Sequence, residues 1–95
     1  MEMICVIVPA YGENPSVLHN TLAELCKMHP QYTVILVDDG SPESLESTCD
    51  SLPVHFLRHA VNLGQGAALE TGMAYARKLK AQCAVHFDAD GQHDP

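Results

Sequence analysis

The chain has 95 residues, room for one small domain and no more. Its formal charge is -7, from 12 acidic against 5 basic side chains, so nucleic acid is excluded as a partner and any phosphate would have to be met through a cation. The apolar share of 46% is that of a folded chain rather than a disordered one, and no apolar run is long enough to cross a bilayer.

Residues 3–8 (MICVIV) form a β-branched run closed by Pro9, the pattern of a strand buried on both faces. A helix follows, with Ser16 as its N-cap, Leu18, Leu22 and Leu25 at helical spacing, and Pro30 marking its end. Residues 33–37 (TVILV) are a second buried strand, ending in Asp38, Asp39 and Gly40. Ser41, Pro42 and Glu43 supply a capping hydroxyl, a first-position proline and an acid for the positive first turn of a second helix, expected to run to about Ser51. A shorter strand spans residues 54–57 (VHFL). The third helix is expected from Gly66 to about Lys80, with Leu69, Met73, Ala76 and Leu79 or Lys80 on one stripe and basic residues at its negative end. Residues 83–87 (CAVHF) are the fourth strand, in which His86 is expected to pack. Strands alternating with helices predict parallel βαβ units, with right-handed crossovers placing helices on both faces of an open sheet. Cys5, Cys26, Cys49 and Cys83 match no zinc or redox spacing. With no signal peptide ahead of them, they are expected to be buried free thiols in a reducing cytosol.

In open parallel sheets, ligands bind beyond the carboxyl ends of the strands. The informative polar residues collect there: PAYGE (9–13) after the first strand, DDGS (38–41) after the second and DADGQ (88–92) after the fourth. A dinucleotide site would need G-x-G-x-x-G after the first strand, where AYGENP (10–15) stands instead, with a glutamate that would repel a pyrophosphate. A phosphoacceptor domain of the response-regulator type would need an acid pair after the first strand and a lysine after a fifth. Asp88 and Asp90, with one residue between them on a bending strand end, can both approach one divalent cation. Oxygen ligands suit Mg2+ or Mn2+, which accept substrate phosphate oxygens as well. Such an ion would screen a diphosphate from this acidic chain and stabilise the charge on a departing nucleoside diphosphate. In isolation a D-x-D pair equally describes a solvated turn. Its place after an apolar strand, facing two other acidic strand ends, favours the cation.

VPAYGE (8–13), VDDGSP (37–42), NLGQGAA (62–68) and FDADGQ (87–92) occur in order over nearly the whole chain. Together they resemble the family 2 glycosyltransferases of GT-A fold, and most closely the polyprenol-phosphate (dolichol-phosphate) mannosyltransferase-like members. The resemblance implies a Rossmann-like nucleotide-binding half, a parallel four-stranded sheet of order 3-2-1-4 with helices on both faces. It implies an inverting transfer of sugar from a UDP- or GDP-sugar to a polyprenyl phosphate or a glycan. Pro9, Ala10, Tyr11 and Glu13 match the motif that wraps base and ribose. Val37, Asp38 and Asp39 match the acidic motif that hydrogen-bonds the base, with Asp38 either sharing that role or only turning the chain. Asp88 and Asp90 match the metal-binding pair and Gln92 a further ligand, while Ala89 would offer its backbone to ribose or diphosphate. Gly64, Gly66 and Gly72 fit a close approach of loop and helix to sheet or ligand, and Asn62 fits the closing of a turn. Two departures stand out: Gly12 replaces the usual asparagine, and Gln65 stands where a lysine is frequent.

In that family the acceptor site and any general base lie beyond the D-x-D motif. Residues 1–95 are therefore expected to be a donor-binding part, cut after that motif and inactive by itself. The alternative is a non-catalytic nucleotide- or metal-binding module completed by a partner chain. The expected location is the cytoplasm, at the cytoplasmic face of a membrane if segments outside this chain attach it. An exposed sheet edge makes a homo-oligomer a further expectation.

Overall fold

The computed structural model describes residues 2–88. Strand β1 (Ile4–Ala10), helix α1 (Pro15–Met28), strand β2 (Tyr32–Asp38), one 3-10 turn (Glu46–Cys49), strand β3 (Val54–Arg58), helix α2 (Gln65–Lys78) and strand β4 (Cys83–His86) follow in chain order. All strand pairs are parallel and the order is β3-β2-β1-β4, as the sequence led us to expect.

Residues 5–10 and 34–39 are buried without interruption because β1 and β2 lie inside the sheet and both faces are covered. Successive side chains feed opposite cores. Val6, Val8, Val34 and Leu36 meet Leu18 and Leu22 of α1 together with Leu45. Cys5, Ile7, Ile35 and Val37 meet Ala68 and Ala76 of α2. Each large aliphatic side chain so buried contributes on the order of 1.5–3 kcal/mol.

Helix α1 starts earlier than Ser16. Asn14 is its cap, its side-chain oxygen accepting from the backbone of Ser16 at 2.9 Å and Val17 at 3.1 Å, and Pro15 takes the first helical position, where its missing N–H leaves nothing unpaired. The helix ends at Met28, where His29 caps it and stacks on Tyr32 with ring centres 5.0 Å apart.

The helix expected from Ser41 does not form. The Asp38 carboxylate accepts from the backbone N–H groups of Ser41 and Leu45, both at 2.9 Å, which bends residues 41–45 around it. Only the single turn Glu46–Cys49 remains, tied to α1 by a 2.9 Å contact from His19 Nδ1 to the Thr48 carbonyl.

On α2 the buried stripe is Ala68, Gly72 and Ala76, not the one through Leu69 and Met73, and Met73 is exposed. The cause is close approach: a Cβ on Gly72 would overlap the Ile7 side chain of β1, so only small residues fit the contact line. Leu69, Tyr75 and Leu79 pack along the flanks instead.

Strand β4 is an edge. Val85, on the α1 side, is 45% exposed, whereas Phe87 two residues on packs against the α1-side core. His86 is exposed as well, contrary to the packing role expected of it. All four cysteines are free thiols; Cys5 is buried, Cys26 and Cys49 are half-buried, and Cys83 is exposed on this edge rather than buried.

The β1–β4 ladder ends early. Ile7 pairs with His86 and accepts from Phe87 N–H at 2.9 Å, but the next residue of β1 turned toward β4 is Pro9, which has no N–H to give. On its other side β1 continues to pair with β2 as far as Ala10 and Asp38. Among the described residues no helix is long and apolar enough to cross a membrane.

Candidate functional site

Beyond the end of β1, a cavity of about 240 Å³ opens at the carboxyl edge of the sheet. Pro9, Ala10, Tyr11 and Glu13 form one wall, Asp39, Asn62, Gly64, Gln65 and Ala68 the other, and Asp88 stands at the end of β4. Among the described residues, three carboxylates and no lysine or arginine line it, so the charge argument made from composition holds locally.

The Tyr11-bearing loop is held from below. Gly12 N–H donates to the Ser41 hydroxyl at 2.8 Å, and that hydroxyl in turn donates to Asp38. Arg58, at the end of β3, donates from Nε to Asp38 at 3.1 Å and from Nη2 to the Ser41 carbonyl at 2.6 Å. Burial alone would push the Asp38 carboxyl up. The hydrogen bonds from Ser41, Leu45 and Arg58 outweigh it and hold the group below the ordinary carboxylate value. Asp38 is thus a fully enclosed anion, and through Ser41 it holds the Tyr11-bearing side of the cavity.

Asp39 faces the other way. Its Oδ1 accepts from His59 Nδ1 at 2.7 Å and from Leu63 N–H at 3.0 Å; its Oδ2 accepts from Gly64 N–H at 2.8 Å and from Asn62 Nδ2 at 3.0 Å. Burial again opposes ionisation, and the Leu63, His59 and Gly64 bonds again prevail, so this carboxyl also lies below its ordinary value. Asp39 is 3% exposed, yet it borders the cavity. Gly40 beside it has φ +76°, and a Cβ there would sit 2.6 Å from Asn62 N and overlap the Val61 backbone, so the 61–62 segment packs directly on the main chain.

Of the residues singled out from sequence, Pro9, Ala10, Tyr11, Glu13, Asp39 and Asp88 come together around the cavity. Val37 and Asp38 do not border it: Val37 is buried in the α2-side core, and Asp38 lies behind the wall. Ala89, Asp90 and Gln92 lie outside the described residues. Gly72 has the helix-to-sheet role expected of it, whereas no protein atom crowds Gly66. Asn62 closes its turn by bonding the Asp39 carbonyl at 3.2 Å, and lines the cavity as well. Arg58 and His59 were not anticipated. The rule that polar residues gather at strand ends, carried to the third strand, points to both.

Among the described residues no group of three or more His, Cys, Asp or Glu could hold a metal ion. Asp88 offers one carboxylate at the cavity wall, a hard oxygen donor of the kind Mg2+ and Mn2+ take. The further donors expected, Asp90 and Gln92, fall outside the described residues.

Comparison with known proteins gives the same picture at larger scale. The chain is 33% identical to the UDP-N-acetylglucosamine--dolichyl-phosphate N-acetylglucosaminyltransferase of Methanococcus voltae, over 99% of this chain and 43% of that protein. It is 32% identical to the polyprenol monophosphomannose synthase of Mycolicibacterium smegmatis, over 95% of this chain and 36% of that one. It therefore spans well under half the length of these relatives. Its fold is that of a mannosyltransferase from Pyrobaculum calidifontis solved with GDP-Man and Mn2+, with a TM-score of 0.70 at 23% identity, covering 92% of this chain and 27% of that structure. The sequence profile of Glycosyl transferase family 2 matches residues 5–95. With its parallel 3-2-1-4 sheet and the cavity at its carboxyl edge, the chain belongs to glycosyl transferase family 2 and has the GT-A fold.

Proposed function

We propose that this chain forms the donor side of an enzyme that transfers a sugar from a UDP- or GDP-sugar to an acceptor, a polyprenyl phosphate or a glycan. The observation that carries this reading is the cavity at the carboxyl edge of the sheet, walled by Tyr11, Glu13, Asp39 and Asp88. Base and ribose would lie against the Pro9, Ala10, Tyr11 and Glu13 wall, and the diphosphate toward Asp88. A Mg2+ or Mn2+ ion, when bound by Asp88 with Asp90 and Gln92, would neutralise charge on the diphosphate and on the departing nucleoside diphosphate. The relatives that act on lipid phosphates support that acceptor class, and the neighbour solved with Mn2+ supports the cation.

In the transfer, an acceptor oxygen attacks the anomeric carbon from the face opposite the diphosphate. The new C–O bond forms as the bond to the diphosphate breaks, which inverts the anomeric centre. An acceptor that is already a phosphate anion needs no strong base for this step. This chain's residues hold the nucleotide, orient its diphosphate and keep the reacting face open to the acceptor.

Calorimetric titration of UDP and GDP, with and without Mn2+, tests the proposal. Binding of one or both nucleotides that strengthens with Mn2+, and falls at least about tenfold in Asp88→Ala, is the expected result. A folded protein that binds neither nucleotide would overturn it.

A further inference from the structure

We infer that Gln65 is a nucleotide-binding residue: from the start of α2 its side-chain amide donates a hydrogen bond to a ribose or phosphate oxygen, between the Tyr11 wall and Asp88. The inference rests on the nucleotide reading of the cavity and adds to it a contact that serves UDP and GDP alike.

Among the described residues, two side chains with nitrogen donors line the cavity, Asn62 and Gln65. Asn62 is already committed, its Nδ2 donating to the Asp39 carbonyl at 3.2 Å and to the Asp39 carboxylate at 3.0 Å. The Gly64 N–H on the same wall is committed too, to Asp39 at 2.8 Å. Gln65 is held less firmly. Its Nε2 lies 3.3 Å from His86 Nε2, a long contact between two exposed side chains. An amide nitrogen carries two hydrogens, so one stays available, and the contact with His86 can be exchanged for a ligand oxygen at little cost.

The amide is also well placed. Helix α2 begins at Gln65, and the close packing of Gly72 on Ile7 fixes that helix against β1, so the backbone bearing the amide needs no ordering when a ligand arrives. His86 lies on β4 two residues before Asp88, which sets the amide on the β4 side of the cavity. With the base against the Tyr11 wall and the diphosphate toward Asp88, the part of the nucleotide that passes Gln65 is its sugar and phosphate, whose oxygens accept. A neutral donor suits a cavity walled by three carboxylates, because it would form no ion pair with them in the empty site.

The test titrates UDP and GDP, with Mn2+ present, into the wild type, Gln65→Ala and Gln65→Glu. Loss of the donor in Gln65→Ala is expected to weaken both nucleotides about three- to tenfold. Gln65→Glu turns another carboxylate toward the phosphates and is expected to weaken both about tenfold further. The ratio of UDP to GDP affinity is expected to stay within about twofold of wild type in each variant, because the amide does not touch the base. Melting temperatures separate binding from folding. Position 65 is exposed and opens a helix, where a glutamate is favourable, so Gln65→Glu is expected to melt no lower than the wild type. Affinities within about twofold of wild type in both variants would overturn the inference. So would losses that appear only alongside a lowered melting temperature, or a ratio shifted about tenfold in Gln65→Ala, which would put the amide on the base. A folded wild type that binds neither nucleotide would overturn the donor-site reading and this contact together, an outcome distinct from variants that bind as the wild type does.

Discussion

Two constraints meet at Gly40. Its φ of +76° is one that side chains rarely adopt, and the Val61–Asn62 backbone fills the space a Cβ would need. Gly40→Ala should therefore lower stability by about 2 kcal/mol or more, read as a drop in the urea unfolding midpoint, because strain and collision add. Neither cause was visible in the sequence, where Asp-Asp-Gly-Ser reads only as a turn signal. The same holds for the aspartate pair. Sequence alone could place Asp38 and Asp39 at the end of β2, but left open whether Asp38 shared the binding role or only turned the chain. The answer lies in partners far along the chain: Arg58 meets one carboxylate, and His59, Asn62, Leu63 and Gly64 meet the other. Tyr11, Glu13 and Asp88 were legible because the strand-end rule needs only the position of each strand.

Among the elements, the strands were legible and the helices less so. A continuous β-branched run has one good use, a strand covered on both faces, and β1 and β2 put theirs to it. Helix α2 misled because the expected stripe through Leu69 and Met73 shares only Ala76 with the buried one, Ala68, Gly72 and Ala76. Close packing on β1 demands small residues, and how close a helix approaches a sheet is a tertiary fact. Gly72→Ala should destabilise by about 1–3 kcal/mol through overlap with Ile7. Ile7→Ala alone should cost about 2–5 kcal/mol. The double variant should be distinctly more stable than the sum of the two losses implies, since each change makes room for the other. Additive losses in a thermal-melt cycle would mean that Gly72 and Ile7 are not in contact. The missing second helix has a different lesson: its capping signals are genuine, but a buried carboxylate competes for the same N–H groups and wins.

At the scale of the whole molecule, two enclosed carboxylates shape the response to pH. Asp38 and Asp39 both titrate below the ordinary value of 3.8 in the folded chain. Depressed carboxyl groups contribute stability that is full above the unfolded-state value and is lost as pH falls through the folded-state values. Unfolding free energy should therefore fall steeply below about pH 4, with these two groups taking up protons on unfolding. Asp38→Asn should lower stability at neutral pH by about 3–5 kcal/mol, by leaving Arg58 and the Ser41 and Leu45 amides poorly matched. It should also flatten the acid limb relative to wild type. Denaturant midpoints measured across pH 2–7 would reveal both effects, and an unchanged acid limb would mean that Asp38 is not the ionised group described. The sheet order was legible because right-handed crossovers and the family pattern leave few alternatives. The exposure of Val85 was not, since an apolar run in the sequence does not say which of its residues lie at an edge.

Pro9 gives the cavity a property that its volume does not express. Where two strands are parted by a side chain or a solvent molecule, the gap can heal, because the backbone partners remain available to each other. Here the position of β1 that faces the end of β4 carries a covalent ring in place of the donor that would extend the ladder. At the Pro9 nitrogen there is therefore no strand hydrogen bond for a ligand to displace. A ligand entering there need give up no binding energy to break one.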